Sequence, residues 1–364
     1  MWNTTGIGDR ARLVADIYYH AELALLRKMA DDMAKLSAVD NADVVSLRRL
    51  FEFETTAGQV YSEAHWLVLA DMEDLLDGLQ AQEYAAATGN LAELGYAPRV
   101  MPDQISAVEL IAADIASTVS AIPARALRNA VDAYQQVQAY ASGQVALGAL
   151  TRLDASQWAL DDFARQGIAK MTDRAGRNWR ADTYAEMTVR TGAMNAIIET
   201  HLDAYQQHGV DLVLVSDSAH ECDMCRPWEY KVLTMTGTAG RYQVADQLTG
   251  GTTVVDVAGN IGDARAQGLF HPNCGHSVAP YIPGATYDVP TRDNPELYEA
   301  TQDQRRIERH IRDWKRRHSV SVTHEAHSKA SAKLEKWERE LKDLLDDYPE
   351  LRRRPERENP FSAR

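Results

Sequence analysis

The chain has 364 residues and a mass of 40.5 kDa, with 45% hydrophobic and 25% charged residues. That is enough apolar material for a real core and excludes wholesale disorder, and the length allows two or three domains. Acidic residues number 53 and basic residues 39, a net charge of −14, which excludes a uniformly basic nucleic-acid sleeve but not local basic patches. The charge is uneven: residues 51–150 carry 13 Asp/Glu and three Lys/Arg, whereas 301–364 carry 13 Asp/Glu and 17 Lys/Arg.

No segment reads as a membrane span, since the longest relevant uncharged window, Ala133 to Thr151, holds four glutamines. The first residues, MWNTTGIGDRAR, lack a basic stretch followed by an apolar run, so no secretory signal is expected. Three cysteines are an odd number within one 53-residue stretch, which argues against a disulfide framework and for a reducing compartment.

The first two hundred residues read as helix almost throughout. Val14, Tyr18, Leu25, Met29, Met33 and Leu36 recur at helical spacing. Val68, Met72, Leu75 and Leu79 form a second stripe, and Leu127, Val131, Tyr134, Ala141 and Val145 a third. Pro123 predicts a break between a helix over 104–121 and the next one. Thr88-Gly89-Asn90 and Gly95-Tyr96-Ala97-Pro98 are loop signals. A further stripe, Tyr184, Met187, Thr191, Met194, Ile198 and Tyr205, ends at Gly209.

The texture then changes. Val210 to Val215 reads as a strand, and Trp228 to Met235 as a second one. The stretch from Gly237 to Gly268 holds seven of the 21 glycines and reads as loop with short β pieces, with a helical turn at 263–267. After a series of prolines come a charged helix over 296–317 and a last helix over 323–346. The expected class is α+β, mostly α. It comprises a long helical N-terminal region (1–170), a small α+β module with a Cys/His cluster (171–290), C-terminal helices (291–348) and a flexible tail (349–364).

The informative cluster is Cys222-Asp-Met-Cys225 followed, 45 residues on, by His271-Pro-Asn-Cys274-Gly-His276. A C-x-x-C turn places two thiolates on one side of a tight loop, and a second knuckle completes the four tetrahedral N/S ligands that Zn²⁺ prefers. The first-choice set is Cys222, Cys225, Cys274 and His276, with His271 as the alternate to His276. Four protein ligands leave no open position, so such a zinc is structural. The alternative is three free buried thiols without metal.

No catalytic residue is assigned. There is no H-E-x-x-H, no G-x-S-x-G and no Walker loop. Ser216, Asp217, Ser218 and His220 read as turn residues, and His324 and His327 as solvated helix histidines. Arg305, Arg309, Arg312 and Arg316 could form a face for phosphates, against the plainer reading of a solvated helix that also carries Glu308 and Asp313.

At these motifs the chain resembles the phage minor capsid protein 2 family, which is akin to the phage Mu F-like head morphogenesis proteins. The resemblance is carried by TDRAGRNW from Thr172 to Trp179, YAEM from Tyr184, Arg190-Thr191, and GVDLVLVS from Gly209. It continues through the Cys222/Cys225 pair, GLFHPNCGH from Gly268 and QRRIERHIRDWKR from Gln304, covering about 165–320. In that family the second knuckle is often C-x-C, so the resemblance places His276 where the last Cys stands and leaves His271 for a supporting role. Gly275 stands where an Arg is common. What the resemblance implies is a non-enzymatic virion role at the capsid interior or portal vertex, with host cytoplasm as the place of assembly. The implied partners are portal and capsid proteins, genomic DNA for packaging or delivery, and further copies of the chain, with no membrane. The competing reading is a zinc-supported, nuclease-like DNA-processing enzyme using His271 and Asn273.

Overall fold

The computed structural model describes residues 5–38, 42–97, 107–168, 170–172, 176–217, 224–272, 274–285 and 295–358. Five helices come first: α1 (Thr5–Leu36), α2 (Ala42–Glu93), α3 (Ala107–Ser120), α4 (Ile122–Ala146) and α5 (Arg152–Gln166). The α1 stripe from Val14 to Leu36 is buried as its spacing predicts. In α2, Phe53, Ala57, Tyr61, Ala64, Val68 and Met72 recur every three or four residues and are buried. Helix α2 runs straight through Thr88-Gly89-Asn90, where a loop was expected. Ala87 and Leu91 are fully buried on either side, and the Thr88 hydroxyl donates to the Tyr84 carbonyl at 2.9 Å, so burial overrides local turn preference. The helix ends where Gly95 takes a φ of +86° and the Tyr96 N–H donates to the Leu91 carbonyl at 3.0 Å. Pro123 sits in the first turn of α4, where its missing N–H costs nothing.

Residues Val108–Ala146 are, by length and composition, apolar enough to cross a membrane, which the sequence reading did not expect. They form two helices broken at Ala121, and α4 buries Ala126, Ala130, Tyr134, Val137 and Ala141 within the protein.

A short antiparallel hairpin follows, β1 (Lys170–Thr172) with β2 (Asn178–Arg180), leading into α6 (Ala181–Gln207). The face that α6 buries takes in Ile198 and Tyr205 of the expected stripe together with Ala185, Val189, Ala193, Ala196 and Ile197, whereas Tyr184, Met187, Thr191 and Met194 are half-buried. Strands β3 (Leu212–Val215), β4 (Val232–Thr234), β5 (Gly240–Ala245), β6 (Thr252–Asn260) and β7 (Val278–Pro280) form one mixed sheet in the order β5-β6-β4-β3-β7. The glycine-rich stretch is more regular than its composition suggests, since β5 and β6 pair over six residues. The expected strand from Trp228 shortens to β4, because Pro227 lies in a 3-10 turn (Arg226–Trp228) and Tyr230 has a φ of +56°. Helix α7 (Ile261–Ala266) precedes β7, and α8 (Pro295–Ser319), α9 (His324–Asp347) and the short α10 (Pro355–Glu358) complete the chain. The expected flexible tail thus contains α10, and the buried Glu358 carboxylate accepts two hydrogen bonds from Arg353 at 2.7 and 2.6 Å.

The chain divides into two compact units interleaved along the sequence: 1–10, 71–117 and 187–294 in one, and 11–70, 118–186 and 295–364 in the other. The first holds the sheet, whose core joins Val213, Val215, Leu233 and Val278 to Ile198, Leu202 and Tyr205 of α6 and to Ala87 and Leu91 of α2. Within it the buried His201 ring lies 3.0 Å from Glu83 and 3.1 Å from the Tyr205 hydroxyl.

The second unit is organised around a buried ion network. Arg316 donates to Asp182 at 2.7 Å and lies 4.4 Å over the Tyr19 ring, and Arg180 donates to Glu22 at 3.0 Å and to Asp182 at 3.3 Å. Burial opposes ionisation of Asp182, but the two guanidiniums outweigh it and hold the carboxyl far below its usual range. Asp16 is the opposite case. Burial, reinforced by the charge of Glu186, pushes its carboxyl up from 3.8 to about 7. The folded state therefore holds a proton that the unfolded state has released, and stability falls as pH rises from about 4 to about 7. Asp16→Asn should accordingly raise the melting temperature at pH 8 and lose that advantage towards pH 4, as measured by thermal unfolding across pH.

Candidate metal centre

The two cysteine knuckles meet because their flanking strands are neighbours. Strands β3 and β7 pair antiparallel with Val215 opposite Val278. Beyond that pair the Ser216 N–H donates to the Ser277 carbonyl, and the Ser277 N–H to the Ser216 hydroxyl, both at 2.9 Å. The chain leaving β3 towards the first knuckle thus runs beside the chain entering β7 from the second.

Cys225 is fully buried and opens the 3-10 turn, its carbonyl accepting from the Trp228 N–H at 2.9 Å. The second knuckle follows α7 as successive tight turns. The His271 N–H donates to the Gly268 carbonyl at 3.3 Å, and the Cys274 N–H to the His271 carbonyl at 2.9 Å. Gly268 has a φ of +107°, which strains any side chain, and a Cβ there would lie 3.1 Å from that of Met224, which would have to give way.

Cys225 Sγ and Cys274 Sγ are 3.6 Å apart, and the ligand atoms of Cys225, His271 and Cys274 all lie within 4.8 Å of one another. Two thiolates on one tetrahedral zinc, each at about 2.3 Å, stand about 3.8 Å apart, so the observed pair has the spacing of a tetrahedral edge. The donor set, two sulfurs and an imidazole, is also of the type zinc takes. Cys222 lies outside the described residues, as do Ser218, His220 and Asn273.

Between the two candidate histidines the geometry differs. His271 joins both thiols in the cluster. His276 is buried, with Nδ1 3.2 Å from Cys274 Sγ and Nε2 2.5 Å from Glu229 Oε1. It is oriented by Glu229 and faces the sulfur of Cys274, the position of a group that supports a ligand from behind. Burial alone would push the Cys274 thiol up, but hydrogen bonds from the His276 ring and backbone N–H outweigh it and bring the thiol below its usual value. Glu229 carried no sequence signal, since its role depends on the 3-10 turn that aims it back at the knuckle.

A cleft beside the cluster is lined by Arg190, Met194 and Ile198 of α6 and by Phe270, His271 and Cys274. Its free volume is about 10 Å³, room for one water at most. The expected arginine face of α8 is not a single solvent face. Arg309 is exposed, Arg305 and Arg312 are half-buried, and Arg316 is buried in the ion network. Arg312 donates to the Arg357 carbonyl, and Lys315 to the Glu358 carbonyl at 3.1 Å, so this side of α8 holds α10.

Fold and site together define a mostly helical protein that carries a small mixed sheet with a Cys/His knuckle at one end. The family model for phage minor capsid protein 2 matches residues 8–346, and the chain belongs to that family. The match extends well beyond the 165–320 legible as motifs and takes in the N-terminal helices. No curated protein and no solved structure matches the chain.

Gly268→Ala should destabilise the protein by about 1–3 kcal/mol, the cost of forcing a side chain into a disfavoured conformation against a neighbour. Gly58→Ala, in helix α2 with open space around it, should be neutral or stabilising. Thermal melts of the two variants check the contrast.

Proposed function

We propose that this protein is a structural, non-enzymatic component of the phage head, located in the virion and bound to portal and capsid proteins, in which a metal-tied knuckle braces a rigid mixed-sheet module. The observation that carries the reading is the family match over residues 8–346. The knuckle's chemistry supports it. Cys225, His271 and Cys274 would hold zinc, with Cys222 of the C-x-x-C pair as the fourth ligand, and His276 supporting Cys274 from outside the coordination sphere. A closed zinc site supplies folding energy rather than a reactive water, and it would cross-link the loop after β3 to the turn before β7. The role in DNA packaging or delivery, and assembly with further copies of the chain, belong to the same reading.

A nuclease-like enzyme built on His271 is the competing reading. It requires carboxylates beside the histidine to hold a catalytic metal, and the described lining of the cleft there has none.

Elemental analysis of the purified chain tests the proposal. About one zinc per chain is expected, absent from Cys225→Ser, Cys274→Ser and His271→Ala. His276→Ala should keep the site with affinity weakened about 10–100-fold, as for a lost supporting partner. A metal-free protein whose melting temperature ignores chelator would refute the zinc. Failure to co-sediment with head particles would refute the virion role. Metal-dependent DNA cleavage abolished by His271→Ala would establish the enzyme instead.

A further inference from the structure

We propose that the cleft between the start of α4 and strand β1 binds the phosphodiester backbone of nucleic acid. The cleft measures about 380 Å³, is open to solvent, and is lined by Arg125, Arg128, Asn129, Lys170 and Thr172. Arg125, Arg128 and Asn129 stand at i, i+3 and i+4 and so share one face of the helix. Lys170 and Thr172 are two apart on β1 and point to the same side, with Met171 between them turned into the core. The Asn129 side-chain amide donates to the Lys170 carbonyl at 3.0 Å and ties helix to strand. Three cations thus converge, with no carboxylate among the described residues of the lining.

The charge pattern makes this concentration unusual. Residues 51–150 hold three basic residues against 13 acidic ones, and two of those three line this cleft. Neither Arg125 nor Arg128 makes an ion pair among the described residues. Lys170 is bonded at 2.7 Å to the neutral Gln166. Asp162, whose carboxylate feels the Lys170 charge, is already held by Arg165 and Gln166 at 2.6 Å each. Like charges gathered on one cleft repel, and an anion relieves that repulsion.

The class of anion follows from what the lining lacks. It has no aromatic or aliphatic wall to seat a base or an acyl chain. It offers two guanidinium forks, an ammonium, an amide and a hydroxyl, groups that recognise phosphate oxygens and carry no sequence information. An open trough suits a backbone lying across it. The inference does not rest on the metal reading. It moves the expected nucleic-acid contact from α8, where Arg316 is buried and Arg312 is engaged by a carbonyl, to α4 and β1.

The test is binding of the full-length chain to a fluorescent DNA duplex of arbitrary sequence, by anisotropy, across a salt series. Wild type should bind with steep salt dependence. Arg125→Ala/Arg128→Ala/Lys170→Ala should weaken binding at least tenfold and flatten the slope of log K against log salt by about 2.7, roughly 0.9 per lost phosphate contact. These side chains are exposed, so the variant's melting curve should match wild type and exclude misfolding. Arg305→Ala/Arg309→Ala should bind as wild type does. Three results would overturn the proposal: no binding by wild type at low salt, an unchanged triple variant, or loss confined to the Arg305/Arg309 variant. Competitors identify the source of the anion. Poly-glutamate binding as tightly as DNA would assign the cleft to an acidic protein segment, and full displacement by millimolar inorganic phosphate would assign it to a free anion.

Discussion

Antiparallel pairing of β3 with β7 is the constraint on which the metal module depends. The two knuckles are separated by 45 residues, enough chain to form a hairpin, a parallel strand contact and a helix in between. With Val215 opposite Val278, Cys225 and Cys274 stand 3.6 Å apart. The intervening strands extend the same sheet through a parallel β4–β6 contact, so the segment that separates the knuckles also builds the surface that fixes them.

The second unit follows a different logic. Its organising contacts are charged: Arg316 and Arg180 converge on Asp182, with Glu22 and Tyr19 around them, and Arg317 grips Asp161 with both arms. Charges at this depth are tolerated because they are paired and hydrogen-bonded, and removal of one partner would strand the other without solvent. The network joins α1, β2, α6 and α8, and it explains why a sequence-rich arginine helix presents little free positive charge. Counting arginines on α8 overstates its potential, because several of them serve as internal struts and clamps.

Much of the helical architecture was legible from periodicity. The stripe of α1, the break at Pro123 and the bounds of α8 and α9 to within a few residues follow from apolar spacing and proline chemistry, which act locally. The departures share a cause. Thr88-Gly89-Asn90 stays helical because Ala87 and Leu91 are buried on either side, and α6 buries Ala185, Ala193 and Ala196 beside Ile198 and Tyr205 while Tyr184, Met187 and Met194 stay half-buried. In both, packing partners distant in sequence outweigh a local preference of a fraction of a kcal/mol per residue.

At the metal centre and the basic cleft, the division falls between composition and geometry. The sequence by itself determined the ligand types, since the C-x-x-C and H-x-x-C-x-H spacings fix which donors can share one turn, and it placed two arginines one helical turn apart in an acidic stretch. It could not show that His271, and not the first-choice His276, groups with both Cys225 and Cys274, because both histidines lie within three residues of Cys274. Nor could it bring Lys170 beside Arg128, or withdraw Arg316 from solvent. Those outcomes are through-space relations between elements far apart in the chain, and only the tertiary structure, by pairing strands and burying charges, decided them.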